Sequence, residues 1–366
     1  MVLRLMFLFA AVAALAWPGD LGSSVAFSAP ELPRPAPPAR PAPSTPPAPP
    51  ELARRIQALG ADFNGHVGVA VMDLKDGWTV AWNGDGRFSQ ESVAKLWTVI
   101  AALDAVDAGR IRIDEGVQLT REDLSVFHQP LAERIGRYGY RASIGELIRG
   151  AIVDSDNAAN DVLVRRLGGT AAVQAAIKEK GLDGVVAGIQ QRELQARIAG
   201  LSWRPSLDGE GRLEAARSML DPEVREEAMR SYLADPDDAA TPLAMVRALA
   251  ALQAGRLLSP ASTERLLRLM HSMVHGEERL NGGLGAGWAL AHKTGTGQHL
   301  GLLQVGTNDV GVLTAPDGRA YAVAVLVGAS TQPMMVREGL MRQVARAVAE
   351  AWAADQRGVT RAPEPG

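Results

Sequence analysis

Short β-prone runs stand near both ends of this chain, and a long helical stretch lies between them. Residues 67–72 and 78–82 are β-prone and are joined by Lys75-Asp76-Gly77, which predicts a hairpin. Strand character returns only late, at residues 288–292, 310–314 and 320–327. In between, apolar positions recur at helical spacing over residues 92–108, 144–153 and 158–167, the last stopped by Gly168-Gly169. Two more helices are predicted after Thr241-Pro242, over 242–254 and 262–273, and an amphipathic helix over 337–353 closes the fold. This order predicts one sheet built from both ends of the chain, flanked by helices, with an all-helical part inserted between. No internal repeat is visible.

The chain has 366 residues, 47% of them apolar, enough for one large core or two adjoining ones. A net charge of −3 gives no basic footprint, so no nucleic-acid partner is expected. Cysteine is absent, which excludes disulfides, thiolate metal sites and cysteine nucleophiles. Arg4 followed by the apolar run 5–15 reads as an export signal, with small-residue cleavage patterns at Ala14-Leu15-Ala16 and Ser24-Val25-Ala26. That run is shorter than the ~20 residues of a membrane span. Residues 30–50 hold 11 prolines and predict an extended spacer rather than a packed unit. The expected division is a signal over 1–26, a proline-rich linker over 27–50, a catalytic unit over 51–354 and a tail over 355–366. Within the catalytic unit, 51–90 and 277–354 form the α/β part and 91–276 the helical part. A periplasmic or secreted protein, monomeric and without a stable membrane span, is expected.

Three motifs carry chemistry. Ser92-Val93-Ala94-Lys95 places a lysine amine one helical turn from a serine hydroxyl, at a helix start where backbone donors favour developing negative charge. Ser155-Asp156-Asn157 lies between two helices and on its own reads as a helix cap. Lys293-Thr294-Gly295-Thr296-Gly297 lies on a late strand and on its own reads as a strand with a glycine bulge. Only five lysines occur, against 33 arginines, and two of the five fall in these motifs. Arginine does not give up its proton in a protein, whereas a buried lysine can serve as a base. Together the motifs supply a serine nucleophile with a lysine base.

In this order the motifs resemble those of class A β-lactamases, within the larger group of penicillin-recognising serine enzymes. The similarity runs from about Glu51 to Trp352. It includes Asp123-Leu124 before Phe127, the helix from Ser155 to Gly168-Gly169, the stretch from Asp235 to Thr241-Pro242, and Gly306-Thr307-Asn308-Asp309. The resemblance implies an α/β (α+β) fold: an antiparallel sheet made from both termini and flanked by helices, plus a helical domain. It implies that Ser92 attacks the carbonyl of a β-lactam or D-alanyl peptide with the help of Lys95. Ser155 then passes a proton to the leaving nitrogen, and Lys293 holds that hydroxyl and attracts the substrate carboxylate. Asn157 grips the side-chain amide, Thr294 and Thr296 bind the carboxylate, and the backbone amides of Ser92 and Thr296 form the oxyanion hole. Gly295 belongs to the same binding strand, and Phe127 or His128 walls the entrance. No cofactor and no metal are implied.

The chain departs from that family after acylation. A Glu-x-x-Leu-Asn pattern supplies the family's deacylating base, and the matching stretch here is Gln191-Arg192-Glu193-Leu194-Gln195. Gln191 stands where the glutamate belongs, and an amide is no base for water. Glu193 is offered as the base if the loop shifts. Residues 196–234 form an insertion with two short helical patterns, 213–220 and 224–233, and it offers Glu210 or Glu214 as another carboxylate. The hairpin after Gly297 is longer, through 298–305, and the family's carboxylate-binding arginine has no clear match, Arg337 being a weak candidate. His271 and His275, four apart, are read as a solvated helix face rather than half a metal site. Hydrolysis of β-lactams is the leading function. The rivals are a D,D-peptidase that β-lactams acylate and leave slowly, and a non-catalytic module that binds cell-wall peptides or β-lactams.

Overall fold

The computed structural model describes residues 45–208 and 211–359. The expected export signal, the expected linker up to Ser44, Glu210 and residues 360–366 lie outside the described residues.

The first helix, α1 (Pro50–Asp62), starts on a proline whose missing N–H costs nothing at that position. Strands β1 (His66–Asp73) and β2 (Thr79–Trp82) form the hairpin expected around Lys75-Asp76-Gly77. After the two-residue β3 (Phe88–Ser89), a 3-10 turn at Glu91–Ala94 leads into α2 (Lys95–Asp107). The helix read as beginning at Ser92 thus has a tighter first turn. Lys95 through Leu103 are all buried, so α2 is apolar all round and forms the centre of the helical part.

The small pair β4 (Gly116–Leu119) and β5 (Tyr140–Ser143) precedes α3 (Ile144–Ile152) and α4 (Asn157–Arg166). α5 (Thr170–Glu179) and α6 (Gln191–Ile198) follow. The insertion folds as two helices, α7 (Arg212–Ser218) and α8 (Pro222–Ala234), close to the expected spans. β6 (Ala239–Ala240) pairs with β3, and α9 (Pro242–Gln253) and α10 (Pro260–His271) complete the helical part.

The remaining strands are β7 (Ala289–Thr296), β8 (His299–Leu300), β9 (Leu303–Thr314) and β10 (Ala320–Ser330). They join the first hairpin in one antiparallel sheet ordered β2-β1-β10-β9-β7, with β8 paired to β9. β7 lies at the end of that order, beside the turn that carries Ser92. Both faces of the sheet are covered. Val67, Val69, Val71, Val323, Val325 and Val327 share a core with Leu52 and Ile56 of α1 and with Met341, Val344 and Val348 of the closing helix α11 (Met334–Val359). The intervening Ala70, Ala322, Ala324 and Leu326 belong to the core of the helical part. This two-residue alternation of larger and smaller apolar side chains lets helices pack on both sides.

Two boundaries differ most from the sequence reading, while Pro50, read as linker, opens α1. α11 runs on to Val359, so residues 355–359 belong to the closing helix rather than a frayed tail, and Asp355 is held by Arg319 at 2.9 Å. β9 begins at Leu303, well before residue 310, because its polar residues are buried with partners. Asn308 donates to Ser89 O at 2.8 Å, and Asp309 accepts from the Leu280 amide at 3.1 Å. Among the described residues no helix is long and apolar enough to cross a membrane.

Candidate active site

The three motifs meet in a cleft of about 670 Å³ between β7 and the helical part. Ser92 reaches it from the 3-10 turn before α2, Ser155 and Asn157 from the start of α4, and Thr294 and Thr296 from β7. The capping and the chemical readings of Ser155-Asp156-Asn157 both hold. Asp156 is the N-cap of α4, accepting from the Ala159 amide at 2.8 Å, and this leaves its two neighbours to face the cleft.

Lys95 Nζ lies 2.6 Å from Ser92 Oγ, 2.6 Å from Asn157 Oδ1 and 3.5 Å from Ser155 Oγ. An ammonium donates to all three. A neutral amine donates to Asn157 and Ser155 and aims its lone pair at the Ser92 hydroxyl, so one geometry serves both protonation states. Burial lowers the Lys95 pKa to about 8, against the pull of Asp156 and Asp161. Lys293 Nζ, also fully buried, donates to Ser155 Oγ and to Thr294 O, both at 2.9 Å. Burial, then Lys95 and Arg279, push its pKa well below the usual lysine range. A continuous hydrogen-bonded path therefore runs Ser92–Lys95–Ser155–Lys293.

Backbone strain is concentrated here. Among the described residues four other than glycine have positive φ, and Glu91, Phe127 and Ser155 are three of them. All three are in the cleft wall or adjoin Ser92, where a strained backbone is stabilised by its surroundings. Gly295 is fixed by contact: a Cβ there would come within 2.4 Å of Gln90 O, so only glycine lets β7 approach the turn that carries Ser92.

The arginine beside Thr296 is not the one weighed from the sequence. Arg337 is buried away from the cleft, donating to Gln332 O at 3.1 Å and to Thr307 Oγ1. Arg279, from the loop before β7, lines the cleft instead. Its Nη2 donates to Thr296 Oγ1 at 2.6 Å, and its Nη1 donates to Gly295 O at 3.1 Å and to Asn308 O at 2.8 Å. No local pattern marks it in the sequence.

Gln191 opens α6 and lines the cleft, its amide N–H donating to Asp161 Oδ1 at 2.6 Å and its own Nε2 buried without a partner. Gln195, one turn on, also lines the cleft. Glu193 does not: two residues from Gln191 on a helix it points elsewhere, and its Oε1 accepts from Gln190 Nε2 at 3.1 Å. The insertion does reach the site. Arg217 Nη1 donates to Gln298 Oε1 at 2.7 Å, and Gln298 Nε2 donates to Gln195 O at 2.7 Å and to Gln195 Oε1 at 3.0 Å. Glu214, one turn before Arg217 on α7, is the one carboxylate among the described residues lining the cleft. His275 lies beyond the end of α10, edge-on to His128 at 5.3 Å in the cleft wall, while His271 meets Leu290 O at 3.0 Å. The two histidines therefore do not share a helix face.

A profile described as "Beta-lactamase enzyme family" matches residues 51–352. The chain belongs to that family. Extended-spectrum β-lactamase PER-1 of Pseudomonas aeruginosa is 27% identical over 300 residues, covering 81% of this chain and 86% of its own. A β-lactamase structure from Chitinophaga pinensis superposes with a TM-score of 0.68 at 29% identity, covering 82% of this chain and 99% of that one. An ancestral class A β-lactamase structure superposes at 0.66 with 30% identity, covering 82% and 99%. The chain is thus of the class A kind, with the mixed fold that the sequence implied.

Proposed function

We propose that this member of the family is an exported serine hydrolase that opens the β-lactam amide through an acyl-Ser92 intermediate. The observation that carries this reading is the unbroken path Ser92–Lys95–Ser155–Lys293, with every link at or below 3.5 Å. Neutral Lys95 takes the Ser92 proton as Oγ adds to the carbonyl carbon. The Ser92 and Thr296 amides receive the oxyanion. Ser155 gives its proton to the leaving nitrogen and is re-supplied from the lysines that touch its hydroxyl. Thr294, Thr296, Lys293 and Arg279 hold the substrate carboxylate, and Asn157 takes the side-chain amide. Export is supported by the Arg4-led apolar segment and its cleavage patterns.

For the second half of the reaction we assign the base to Glu214. The family's deacylating glutamate stands at the position of Gln191, and neither Gln191 nor Gln195 can take a proton from water. Glu214 lines the same cleft one turn before Arg217, which Gln298 links to Gln195, and this supports seeking the base on that side. Gln191 supports the second reading, a D,D-peptidase whose β-lactam adduct persists. Intact-protein mass spectrometry after mixing with benzylpenicillin separates the two. A Ser92 adduct that forms and clears while hydrolysed drug accumulates supports the hydrolase. An adduct that stays for many minutes supports the peptidase, and no adduct overturns both.

A further inference from the structure

Directly before the nucleophile stands a buried carboxyl group that the mechanism above does not use. Glu91 is 1% exposed, in a slot that two glycines keep open. A Cβ on Gly297 would lie 2.4 Å from Glu91 Oε1, and one on Gly306 would lie 2.5 Å from Glu91 Cγ. Glu91 Oε2 accepts from Gln195 Nε2 at 2.9 Å. Its Oε1 is 3.1 Å from Tyr232 Oη, which is itself 2.8 Å from Asp238 Oδ1. Asp238 Oδ2 accepts from the backbone amides of Gln90 at 3.0 Å and Glu91 at 2.6 Å.

Counting protons decides the charge. Tyr232 carries one hydroxyl hydrogen but touches two carboxyl oxygens. Asp238, with two backbone donors already, is the better acceptor for it and the better seat for negative charge. The contact between Tyr232 Oη and Glu91 then needs a hydrogen from Glu91. We propose that Glu91 is a positioning residue, neutral in the working enzyme, which closes the chain Glu91–Tyr232–Asp238 and so fixes both the turn that delivers Ser92 and the amide of Gln195. The titratable groups facing it are Asp238 on the segment before β6, Tyr232 on α8 and Lys95 on α2. Burial, then Asp238, raise the Glu91 pKa, which agrees with the neutral form. The inference rests on Ser92 being the acylated nucleophile.

Glu91→Gln tests it, because glutamine reproduces a protonated glutamate: its Nε2 donates to Tyr232 Oη and its Oε1 accepts from Gln195. Labelling rates with a fluorescent penicillin at pH 7 and pH 9.5 are compared with those of the unmodified protein. At pH 7 the variant is expected within about threefold of the unmodified protein. At pH 9.5, where an ionised Glu91 breaks the chain, it is expected to label roughly tenfold faster. A variant that labels more than tenfold slower at pH 7, or that keeps the unmodified pH profile, overturns the proposal. If the penicillin labels neither protein, the β-lactam reading fails. The proposal is then decided by melting temperature: a smaller loss from pH 7 to pH 9.5 in Glu91→Gln sustains it, and an equal loss overturns it.

Discussion

Lys95 Nζ stands 2.6 Å from Ser92 Oγ, one turn along the helix, and is fully buried. Burial lowers the lysine pKa to about 8, so near neutral pH a usable fraction of the amine is unprotonated. The base form is the active one, and the sign follows: acylation rises as pH climbs towards about 8. Because the Glu91 carboxyl is also pushed up to about 8, the loss attributed to its ionisation sets in there, so the profile peaks near that pH and falls above it. The rate of Ser92 acylation across pH 6–9 checks this. Lys95→Arg keeps a cation but cannot accept a proton, and a loss of roughly 10²–10⁴-fold is expected.

Arg279 gives a second prediction. Its guanidinium donates to Thr296 Oγ1 and to two carbonyls, beside the strand that also presents Thr294, and hydrogen bonds to charged groups contribute about 1.5–3 kcal/mol. Arg279→Ala should therefore raise KM for a penicillin by roughly tenfold to a hundredfold. The methyl ester of the same penicillin should barely notice the change. An equal loss for acid and ester would place Arg279 outside the carboxylate subsite.

The third prediction separates two carboxylates by where they point. Glu214 lines the cleft and Glu193 is turned to Gln190. Glu214→Gln should let the acyl-enzyme form at the normal rate and then persist, with a loss in the clearing step of about 10²–10⁴-fold. Glu193→Gln should clear its adduct at the unmodified rate. Time-resolved intact mass after a single addition of penicillin reads both, and a trapped adduct in Glu193→Gln alone would reverse the assignment.

Much of this was legible in the sequence, for physical reasons that differ by residue. The sheet made from both ends followed from hydrophobic patterning, and the meeting of Ser92, Lys95, Ser155 and Lys293 in one cleft followed from short motifs whose spacing is local. Arg279 escaped because its partners, Gly295, Thr296 and Asn308, lie on strands it meets only after folding. Glu91 was visible beside Ser92, but nothing local shows that α8 of the insertion brings Tyr232 to it. The early start of β9 was hidden because Thr307, Asn308 and Asp309 are polar and break the apolar run, and only the folded structure supplies their partners. Glu193 misled for a related reason: closeness in sequence to Gln191 turns into opposite directions once the segment is helical.

Arg319 allows a prediction about stability, away from the cleft. Its Nε meets Asp73 Oδ2 at 2.7 Å and its Nη1 meets Asp355 at 2.9 Å, joining the end of β1 to the closing helix α11. The Asp73 side chain is fully buried. Asp73 also accepts from the amides of Lys75 at 2.8 Å and Asp76 at 2.6 Å, so it fixes the first hairpin turn. Asp355 is half exposed, and its share of the pairing is screened by solvent and salt. Arg319→Ala would leave Asp73 charged, buried and without its cation, and breaking such a pair from one side costs about 3–5 kcal/mol. Asp355→Ala, removing only the exposed partner, should cost less than about 1 kcal/mol. Urea denaturation of the two variants measures the difference directly. Equal small losses would mean that the turn amides alone hold Asp73, and that the closing helix is secured by the apolar contacts of Met341, Val344 and Val348 rather than by this ion pair.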